Sequence, residues 1–323
     1  MGKPKVSVII PVYGVEKYIE KCARSLFEQT LNEMEFIFVD DCSPDNSIAI
    51  LERVLEDYPE RKPQTRILHH EVNKGLPITR QTGLNVANGE YIAHCDSDDW
   101  VDVNMYQEML SQGENTNADI VVCDSYMVSG DNLIYRKGCA DGISAKEAIR
   151  DMVLQKMPWT VWNKLIKKEI YKKSDYVFPT KTHSEDMVFS LQLFYYSSII
   201  SYVQKPFYYY VSNSAIPTHT VNDQLYLKRY KESYENVRCV ESFIKDKPEK
   251  ELKDYLIYLK LIQRDNLLPI ISQKKYYDLW KNTNPEINSQ IIFNGTISFK
   301  HKLKYLMIRC HLGWVFVRLG RID

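Results

Sequence analysis

The sequence has no apolar run long enough to cross a membrane. The residues from Val6 to Val12 are mostly apolar, but Ser7 and Pro11 interrupt them. A transmembrane helix needs about 20 consecutive apolar residues, and the core of a signal peptide needs about 7 to 15. We therefore expect a cytoplasmic protein.

Patterned cysteines and a net charge are also missing. The seven cysteines are odd in number and include no Cys-x-x-Cys pair, which argues against a disulfide framework and a zinc site. The 42 Lys and Arg residues balance the 42 Asp and Glu residues. No overall electric field would attract nucleic acid, so we expect no nucleic-acid partner.

What the sequence does have, over its first third, is an alternation of two apolar patterns. Short β-branched or apolar runs predict strands at 5–12, 35–39, 65–69 and 90–95. Apolar residues at helical spacing predict helices over 15–28, 48–55 and 77–87. This alternation predicts an α/β layer with a mainly parallel sheet flanked by helices. From about residue 221 the chain is mostly helical.

Three polar clusters follow predicted strands, at Pro11–Tyr13, Asp40–Asp41 and Asp96–Asp99. Ligands of parallel sheets bind beyond the carboxyl ends of the strands, so we expect the clusters to converge. The carboxylates of Asp96–Asp99 favour Mg²⁺ or Mn²⁺, or are a solvated turn that caps a following helix. Asp40–Asp41 would accept hydrogen bonds from a base and a ribose, or cap a helix.

Two further segments carry candidate chemistry. Gly75 indicates a turn near a ligand, and Arg80 behind it would bind a diphosphate or be an exposed surface arginine. Glu185 and Asp186 follow His183-Ser184 at the start of a predicted helix. A carboxylate there would be a general base for an acceptor hydroxyl, or would only stabilise the helix start.

In this order, the segments resemble the signatures of one family. VSVIIPVYGVEKYIEKCARSLFEQTL, FIFVDDCSPDNS and NKGLPITRQTGLNVANGEYIAHCDSDDW look like those of family 2 inverting glycosyltransferases with the GT-A fold, of the bacterial surface-polysaccharide type. The resemblance is strong over 5–110 and weaker at 159–170, 183–189 and 206–219. It implies a GT-A catalytic domain over 1–220, with a nucleotide-sugar half at about 1–110 and an acceptor half at about 111–220. Residues 221–323 would form a helical C-terminal region.

The resemblance also implies roles for single residues. Those implied to contact the nucleotide-sugar donor are Pro11, Val12, Tyr13, Asp40, Asp41, Gly75, Arg80 and Asp96. The implied metal ligands are Asp98 and His219, and the implied catalytic base is Asp186. Contacts with the donor or acceptor sugar are implied for Asp99, Trp162, Lys164 and Glu185, and closure over the diphosphate for Tyr210, Ser214 and His219. The sequence departs from the family pattern at Cys42, Gln81, His94-Cys95 and Val211.

A reaction follows from the resemblance. An acceptor hydroxyl would displace the nucleotide directly, so that an α-linked donor gives a β-linked product. Mn²⁺ or Mg²⁺ would offset charge on the leaving diphosphate. The donor is expected to be a UDP-sugar, and the acceptor a glycan or lipid-linked glycan.

The C-terminal segment 296–323 is basic and apolar, with six Lys or Arg residues and one Asp. Such a segment lies on an anionic membrane surface or packs as a helix on the rest of the protein. The first alternative would make the protein peripheral on the inner face of the membrane.

Three other functions also fit parts of the pattern. Asp96-Ser97-Asp98 after a strand would suit a metal-dependent sugar phosphatase, although Asp99 follows where Thr or Val is usual. The chain would otherwise be a non-catalytic nucleotide-sugar-binding module, or a membrane-bound scaffold in which 296–323 matters and the aspartates do not.

Overall fold

The computed structural model describes residues 2–173, 175–212 and 222–310. The chain forms two compact units, one of residues 1–182 and 189–215, the other of residues 183–188 and 216–323. Residues 183–188 group with the second unit. The predicted catalytic domain over 1–220, with its two halves, stays a prediction.

The first unit is built on one mixed sheet. Its strands in the described residues are β1 (Val6–Val12), β2 (Met34–Asp40), β3 (Thr65–His69), β4 (Tyr91–His94), β5 (Trp100–Val101), β6 (Ile120–Ser129), β7 (Asn132–Arg136), β8 (Lys164–Lys167) and β9 (Ile200–Val211). The strands lie in the order β3-β2-β1-β4-β8-β6-β9-β5, and β7 pairs with β6.

Half of this sheet is parallel, as predicted. Strand β1 pairs in parallel with β2 and β4, and β2 pairs in parallel with β3. All seven residues of β1 are buried, which explains why the strand reads as an apolar run without alternation.

The other half of the sheet is mixed, with antiparallel and parallel pairs. Strand β8 is antiparallel to both β4 and β6, and β5 is antiparallel to β9. Strand β9 is parallel to β6. The expectation of a mainly parallel sheet is therefore wrong for this half, because strand direction depends on how the intervening chain returns and not on the side-chain pattern.

Helices cover the sheet at the predicted positions. Those in the first half of the chain are α1 (Ile19–Phe27), α2 (Ser47–Glu56), α3 (Leu76–Val86), α4 (Met105–Thr116) and α5 (Ala145–Val153). Helix α6 (Glu185–Tyr195) follows. In α1, the residues with helical spacing in the sequence, Cys22, Leu26 and Phe27, are buried.

The second unit is helical. Its helices are α7 (Asp223–Ile244), α8 (Lys250–Arg264), α9 (Lys274–Asn282) and α10 (Phe299–Arg309), with short 3₁₀ turns at Asp265–Ile270 and Pro285–Ile287. Across the described ranges, no helix combines the length and apolar character that crossing a bilayer requires.

Candidate active site

The carboxyl ends of β1, β2 and β4 border a cavity of about 460 Å³ in the first unit. The residues that line it come from the end of β1 and the loops after β1, β2 and β4, from the loop before α3, from the start of α3 and from Thr182. They are Pro11, Val12, Tyr13, Val15, Asp41, Asn73, Gly75, Leu76, Thr79, Asp96, Ser97, Asp98 and Thr182. The three predicted clusters thus each contribute to one pocket, as the strand-end rule requires.

Asp41 shapes the loop before α3. Its carboxylate accepts hydrogen bonds from the backbone N–H groups of Lys74 and Gly75, both at 2.8 Å. The ring of His70 lies 2.7 Å from the same carboxylate and 2.9 Å from the hydroxyl of Thr82. Gly75 has φ of +87°, which favours glycine. Asp41 therefore holds the loop that forms one pocket wall.

Asp40 lies outside the residues that line the pocket. Its carboxylate accepts from the backbone N–H of Ser43 at 2.8 Å and lies 3.0 Å from the ring of His69. Helix α2 has Asn46 at its N-cap, so the alternative in which Asp40 or Asp41 caps that helix is wrong. A contact of Asp40 with a base or ribose stays a prediction.

Asp45 fixes the loop that carries Tyr13. It accepts from the backbone N–H of Glu16 at 2.9 Å and from the hydroxyl of Ser43 at 2.7 Å. Burial alone would raise the pKa of Asp45, but hydrogen bonds from Ser47, Glu16 and Ser43 outweigh it and lower the pKa to about 2. Sequence reasoning missed Asp45, since nothing in its spacing separates it from an ordinary turn residue.

Arg80 is buried behind the acidic turn. Its side chain is 2% exposed, and Nη2 donates to Oδ1 of Asp96 at 2.8 Å. The alternative of an exposed surface arginine is therefore wrong. Arg80 does not line the pocket, but it orients the carboxylate of Asp96, which does line it. A direct contact of Arg80 with the donor diphosphate stays a prediction.

The carboxylates of the acidic turn lie in different environments. Asp96 and Asp98 line the pocket, and burial followed by the charge of Asp96 raises the pKa of Asp98 to about 6. Asp99 is 1% exposed and accepts from the hydroxyl of Tyr208 at 2.8 Å and from the N–H of Val211 at 2.7 Å. Burial, then Asp96 and Asp98, raises the pKa of Asp99 to about 8.

The structure thus places Asp99 behind the pocket wall, where it ties the acidic turn to β9. The next residues form strand β5 and not a helix, so the helix-cap interpretation of Asp96–Asp99 is wrong. A contact of Asp99 with a sugar stays a prediction.

Tyr208 connects the acidic turn to the centre of the unit, and sequence reasoning missed it. Its buried hydroxyl accepts from the N–H of Asp96 at 3.0 Å while donating to Asp99. Trp162 stacks on Tyr208 with ring centroids 4.2 Å apart and on Tyr210 at 5.9 Å. The run of three tyrosines on β9 was visible, but which ring turns inward depends on the strand register.

Lys164 is fully buried. Its ammonium donates to the carbonyl of Thr160 and, at 3.0 Å, to the side chain of Asn163. Lys164 therefore holds the 160–164 turn, and neither it nor Trp162 lines the pocket. Their predicted sugar contacts stay predictions.

A divalent metal fits the pocket-facing carboxylates. Burial, and then the charge of Asp96, raises the pKa of Asp98, and a bound cation would offset both effects. Across the described ranges, no three His, Cys, Asp or Glu side chains are already gathered as metal ligands. Mg²⁺ and Mn²⁺ commonly take only one or two protein carboxylates and complete their shell with substrate phosphates and water. The predicted ligand His219 lies outside the described residues, as does Ser214.

Glu185 and Asp186 occupy the first turn of α6, where acidic residues favour the helix. His183, two residues before Glu185, makes two backbone hydrogen bonds within the second unit. The N–H of His183 donates to Glu232 at 3.1 Å, and its carbonyl accepts from Asn236 at 2.9 Å. Both predicted interpretations of Asp186, general base and helix stabiliser, stay compatible with this position.

The comparisons with known proteins agree with this geometry. The model of glycosyl transferase family 2 matches residues 7–184. The uncharacterised glycosyltransferase EpsJ of Bacillus subtilis (strain 168) is 32% identical over 238 residues, covering 70% of this chain and 68% of EpsJ. The poly(ribitol-phosphate) beta-N-acetylglucosaminyltransferase TarS of Staphylococcus aureus (strain Mu50) is 27% identical, covering 64% of this chain and 35% of TarS.

Solved structures share the fold. S. aureus TarS 1–349 in complex with UDP superposes with a TM-score of 0.68 at 19% identity, covering 98% of this chain and 92% of that one. A mannosyltransferase of Pyrobaculum calidifontis in complex with GDP-Man and Mn²⁺ gives a TM-score of 0.55 at 15% identity, with 100% and 89% covered. With the family match over more than half of the chain, this protein belongs to glycosyl transferase family 2 and is a glycosyltransferase with the GT-A fold.

Proposed function

We propose that this enzyme transfers one sugar from a UDP-sugar to a hydroxyl of a glycan or lipid-linked glycan, with inversion. The observation that carries the proposal is the strand-end pocket, in which Asp96 and Asp98 face the same cavity as Tyr13. A nucleoside diphosphate needs an aromatic or apolar wall for the base and a cation-binding group for the phosphates, and this pocket offers both.

The apolar side of the pocket suits the base. Pro11 and Val12 line it beside Tyr13, whose side chain is 51% exposed and available for stacking. TarS has been solved with UDP and with UDP-GlcNAc, which supports a uridine donor. The GDP-Man complex of the P. calidifontis enzyme makes GDP the alternative that a donor screen must test.

The acidic side of the pocket suits the diphosphate. Asp98, with Asp96 beside it, would hold a divalent cation. When bound, the cation stabilises negative charge on the leaving diphosphate. Arg80 keeps the carboxylate of Asp96 in place through its 2.8 Å hydrogen bond.

The transfer itself requires a base for the acceptor. We assign this role to Asp186, on the family resemblance of Glu185-Asp186. As the acceptor oxygen forms its bond to the anomeric carbon, the bond from that carbon to the diphosphate oxygen breaks. The hydroxyl proton passes to the carboxylate of Asp186, and the nucleoside diphosphate leaves from the opposite face of the sugar. The product of an α-linked donor is then β-linked.

A donor screen combined with one variant tests the proposal. We expect UDP-sugars with Mn²⁺ to raise the thermal midpoint of the wild type by mass action. Asp186→Asn should retain this shift and lose transfer by roughly 10²- to 10⁴-fold, the usual contribution of a general base.

Each alternative function predicts a different experimental result. Normal transfer by Asp186→Asn would contradict the base assignment, and a shift with GDP-sugars alone would change the nucleotide. Release of phosphate from sugar phosphates would favour the phosphatase. If the wild type bound the donor but transferred sugar to none of the glycan acceptors tested, the non-catalytic binding module would be favoured.

We also propose that the enzyme works as a peripheral protein on an anionic membrane surface, on its cytoplasmic face. Helix α10 supports this proposal. Phe299 is 80% exposed and Leu303 and Leu306 are each 45% exposed, and their spacing places them on one helix face. Tyr305 and Ile308 are the buried residues of the helix, so α10 packs by one face and presents a second apolar face outward.

The charge of α10 suits anionic lipid. Lys300 and Lys302 flank the exposed apolar face, and the helix from Phe299 to Arg309 contains no acidic residue. Basic residues beside an apolar stripe are typical of helices that lie in the membrane interface. Residues 311–323, the rest of the predicted segment, lie outside the described residues.

Co-sedimentation with vesicles tests the membrane proposal. Leu306→Glu should weaken binding to phosphatidylglycerol-containing vesicles by roughly tenfold or more, since it removes a leucine that would be buried in the membrane and adds a negative charge. Leu133→Glu is the matched control, because Leu133 is a 52% exposed leucine on β7 of the first unit. Equal binding by Leu306→Glu and wild type, or equal binding to neutral vesicles, would contradict the proposal.

A further inference from the structure

The C-terminal unit has a pocket of its own. It measures about 510 Å³ and lies between α7, α8 and the chain from the end of α9 to the following 3₁₀ turn. It is outside the residues that the family model matches. Its volume falls within the range of small-ligand sites.

The floor of this pocket is a buried charged group. The side chain of Lys260 is 8% exposed, and its ammonium lies 2.6 Å from Oε1 of Glu241 and 2.8 Å from Oε1 of Glu286. Burial alone would lower the pKa of Lys260, but its hydrogen bonds to the two glutamates outweigh burial and raise it. Lys260 therefore stays charged and ties α7, α8 and the 3₁₀ turn together.

A second set of contacts fixes the wall at Thr283 and Asn284. The fully buried Arg264 donates to the carbonyl of Asn284 at 2.5 Å and to the side chain of Asn288 at 2.9 Å. Asn284 has φ of +43°, a left-handed conformation that costs about 1 kcal/mol for a non-glycine residue. The hydroxyls of Tyr230 and Thr283 lie 2.6 Å apart. These contacts build the pocket before any ligand arrives.

The charges around the pocket are balanced. Among its described lining residues, the cations Arg238 and Lys260 face the anions Glu241 and Glu286. Lys260 is already shared by two carboxylates, which leaves no excess of positive charge for a phosphate. Lys260 and Arg238 together balance the two carboxylates, which leaves no excess of negative charge for a metal ion. The ligand that fits is uncharged.

The polar and aromatic groups describe that ligand further. The glutamates are 40% and 53% exposed, and each has a second oxygen that can accept from a hydroxyl. Asn282 adds an amide at the rim. The rings of Tyr230 and Tyr234 stack with centroids 6.3 Å apart, and Arg238 lies over Tyr234 at 5.8 Å. An aromatic wall beside hydrogen-bond acceptors suits a ring with apolar C–H faces and several hydroxyl groups.

We propose that this pocket is a second glycan-binding site, which holds one or two neutral sugar residues of a glycan. The binding of neutral sugar does not depend on the proposed function. The further statement that the glycan is the acceptor or product of this enzyme rests on it.

Binding of the full-length protein to an array of neutral oligosaccharides, without donor or metal, tests the inference. We expect the wild type to bind members of the array and Tyr234→Ala to reduce that binding roughly tenfold, through loss of the aromatic wall. Tyr234→Phe, which keeps the ring, should bind nearly as wild type. Tyr226→Ala is the matched control, since Tyr226 lies on the same helix and carries Arg229 over its ring at 5.9 Å but does not line the pocket.

The other variants separate this site from the active site. Asn282→Ala, at an exposed rim position, should weaken binding without changing the thermal midpoint. Asp98→Asn should leave array binding unchanged, because Asp98 lines the pocket of the first unit. Glycan binding by the second pocket can therefore be detected even if the transfer experiment fails. The inference would be overturned if the substitutions at Tyr234 and Asn282 left array binding unchanged. It would also be overturned if the wild type bound no neutral glycan. Tight, Arg238-dependent binding of pyrophosphate would overturn it as well, because it would identify an anion site.

Discussion

The two pockets of this enzyme balance charge in opposite ways. In the first unit, the acidic turn brings Asp96, Asp98 and Asp99 together, and the structure pairs Asp96 with Arg80. Burial, and then the charge of Asp96, raises the pKa of both Asp98 and Asp99, and Asp98 raises that of Asp99 further. In the second unit, the buried Lys260 lies between two glutamates, and Arg238 completes an equal count.

This difference shows how the charges that line a pocket select the charge of its ligand. A turn with more carboxylates than cations is stabilised by a bound cation, which suits a metal-diphosphate ligand. A pocket whose charges cancel gains nothing from a charged ligand and must rely on shape, stacking and hydrogen bonds.

Asp98→Asn should have the largest effect. It removes the charge that we assign to the cation, so kcat/KM should fall roughly a thousandfold, a loss of about 4 kcal/mol of transition-state stabilisation. The metal-dependent thermal shift with UDP-sugar should disappear as well. Asp131→Asn, in an exposed turn between β6 and β7, is the control. Wild-type activity in Asp98→Asn would show that the acidic turn needs no cation there.

Arg80→Met should destabilise the first unit by about 3 kcal/mol, measured by urea unfolding. The change leaves Asp96, whose side chain is 26% exposed, beside two other aspartates without its buried partner. Arg53→Met is the matched control, because Arg53 and Glu20 form a pair that is 68% and 45% exposed and should contribute under about 1 kcal/mol. Equal effects of the two changes would contradict the burial argument.

Lys260→Met should cost less, about 1 to 2 kcal/mol, although Lys260 is also buried. Its partners Glu241 and Glu286 are 40% and 53% exposed, so water can solvate them when the ammonium is gone. Unfolding by urea compares it directly with Arg80→Met, with the exposed Lys228→Met as control. A larger loss than that of Arg80→Met would reverse the comparison.

Asp45→Ala should have the smallest effect, about 1 kcal/mol at neutral pH, through lost hydrogen bonds. The folded pKa of Asp45, about 2, lies below the ordinary value of 3.8. Its stabilisation is therefore present above about pH 4 and decreases as the pH falls towards 2. Urea unfolding of wild type and variant at neutral pH and near pH 3 measures this. A stability difference that grew on acidification would contradict the depressed pKa.

Much of the first unit could be predicted from local pattern. Strand β1 is mostly apolar because both of its faces are covered and all seven residues are buried. Cys22, Leu26 and Phe27 recur at helical spacing because one face of α1 is buried. Such periodicity survives in a single sequence. The convergence of Pro11–Tyr13 with Asp96 and Asp98 followed from the rule that parallel strands end at one edge.

The roles of single residues inside the site were less accessible. Arg80 has the same sequence signature whether it is exposed or buried behind Asp96. Tyr208 and Tyr210 differ from Tyr209 only through the register of β9, because side chains alternate between faces. The antiparallel insertion of β8 between β4 and β6 was also invisible, since the pattern of a strand does not encode its direction.

By itself, the sequence determined the order of strands and helices over the first third of the chain, the family, and which polar clusters reach the site. These properties depend on residue types and spacing along the chain. Only the tertiary structure decided that Asp98 faces the pocket while Asp99 is buried under Tyr208, and that Lys260 lies between Glu241 and Glu286. Those outcomes depend on distances between residues far apart in sequence, which set the burial and the charge partners of each group.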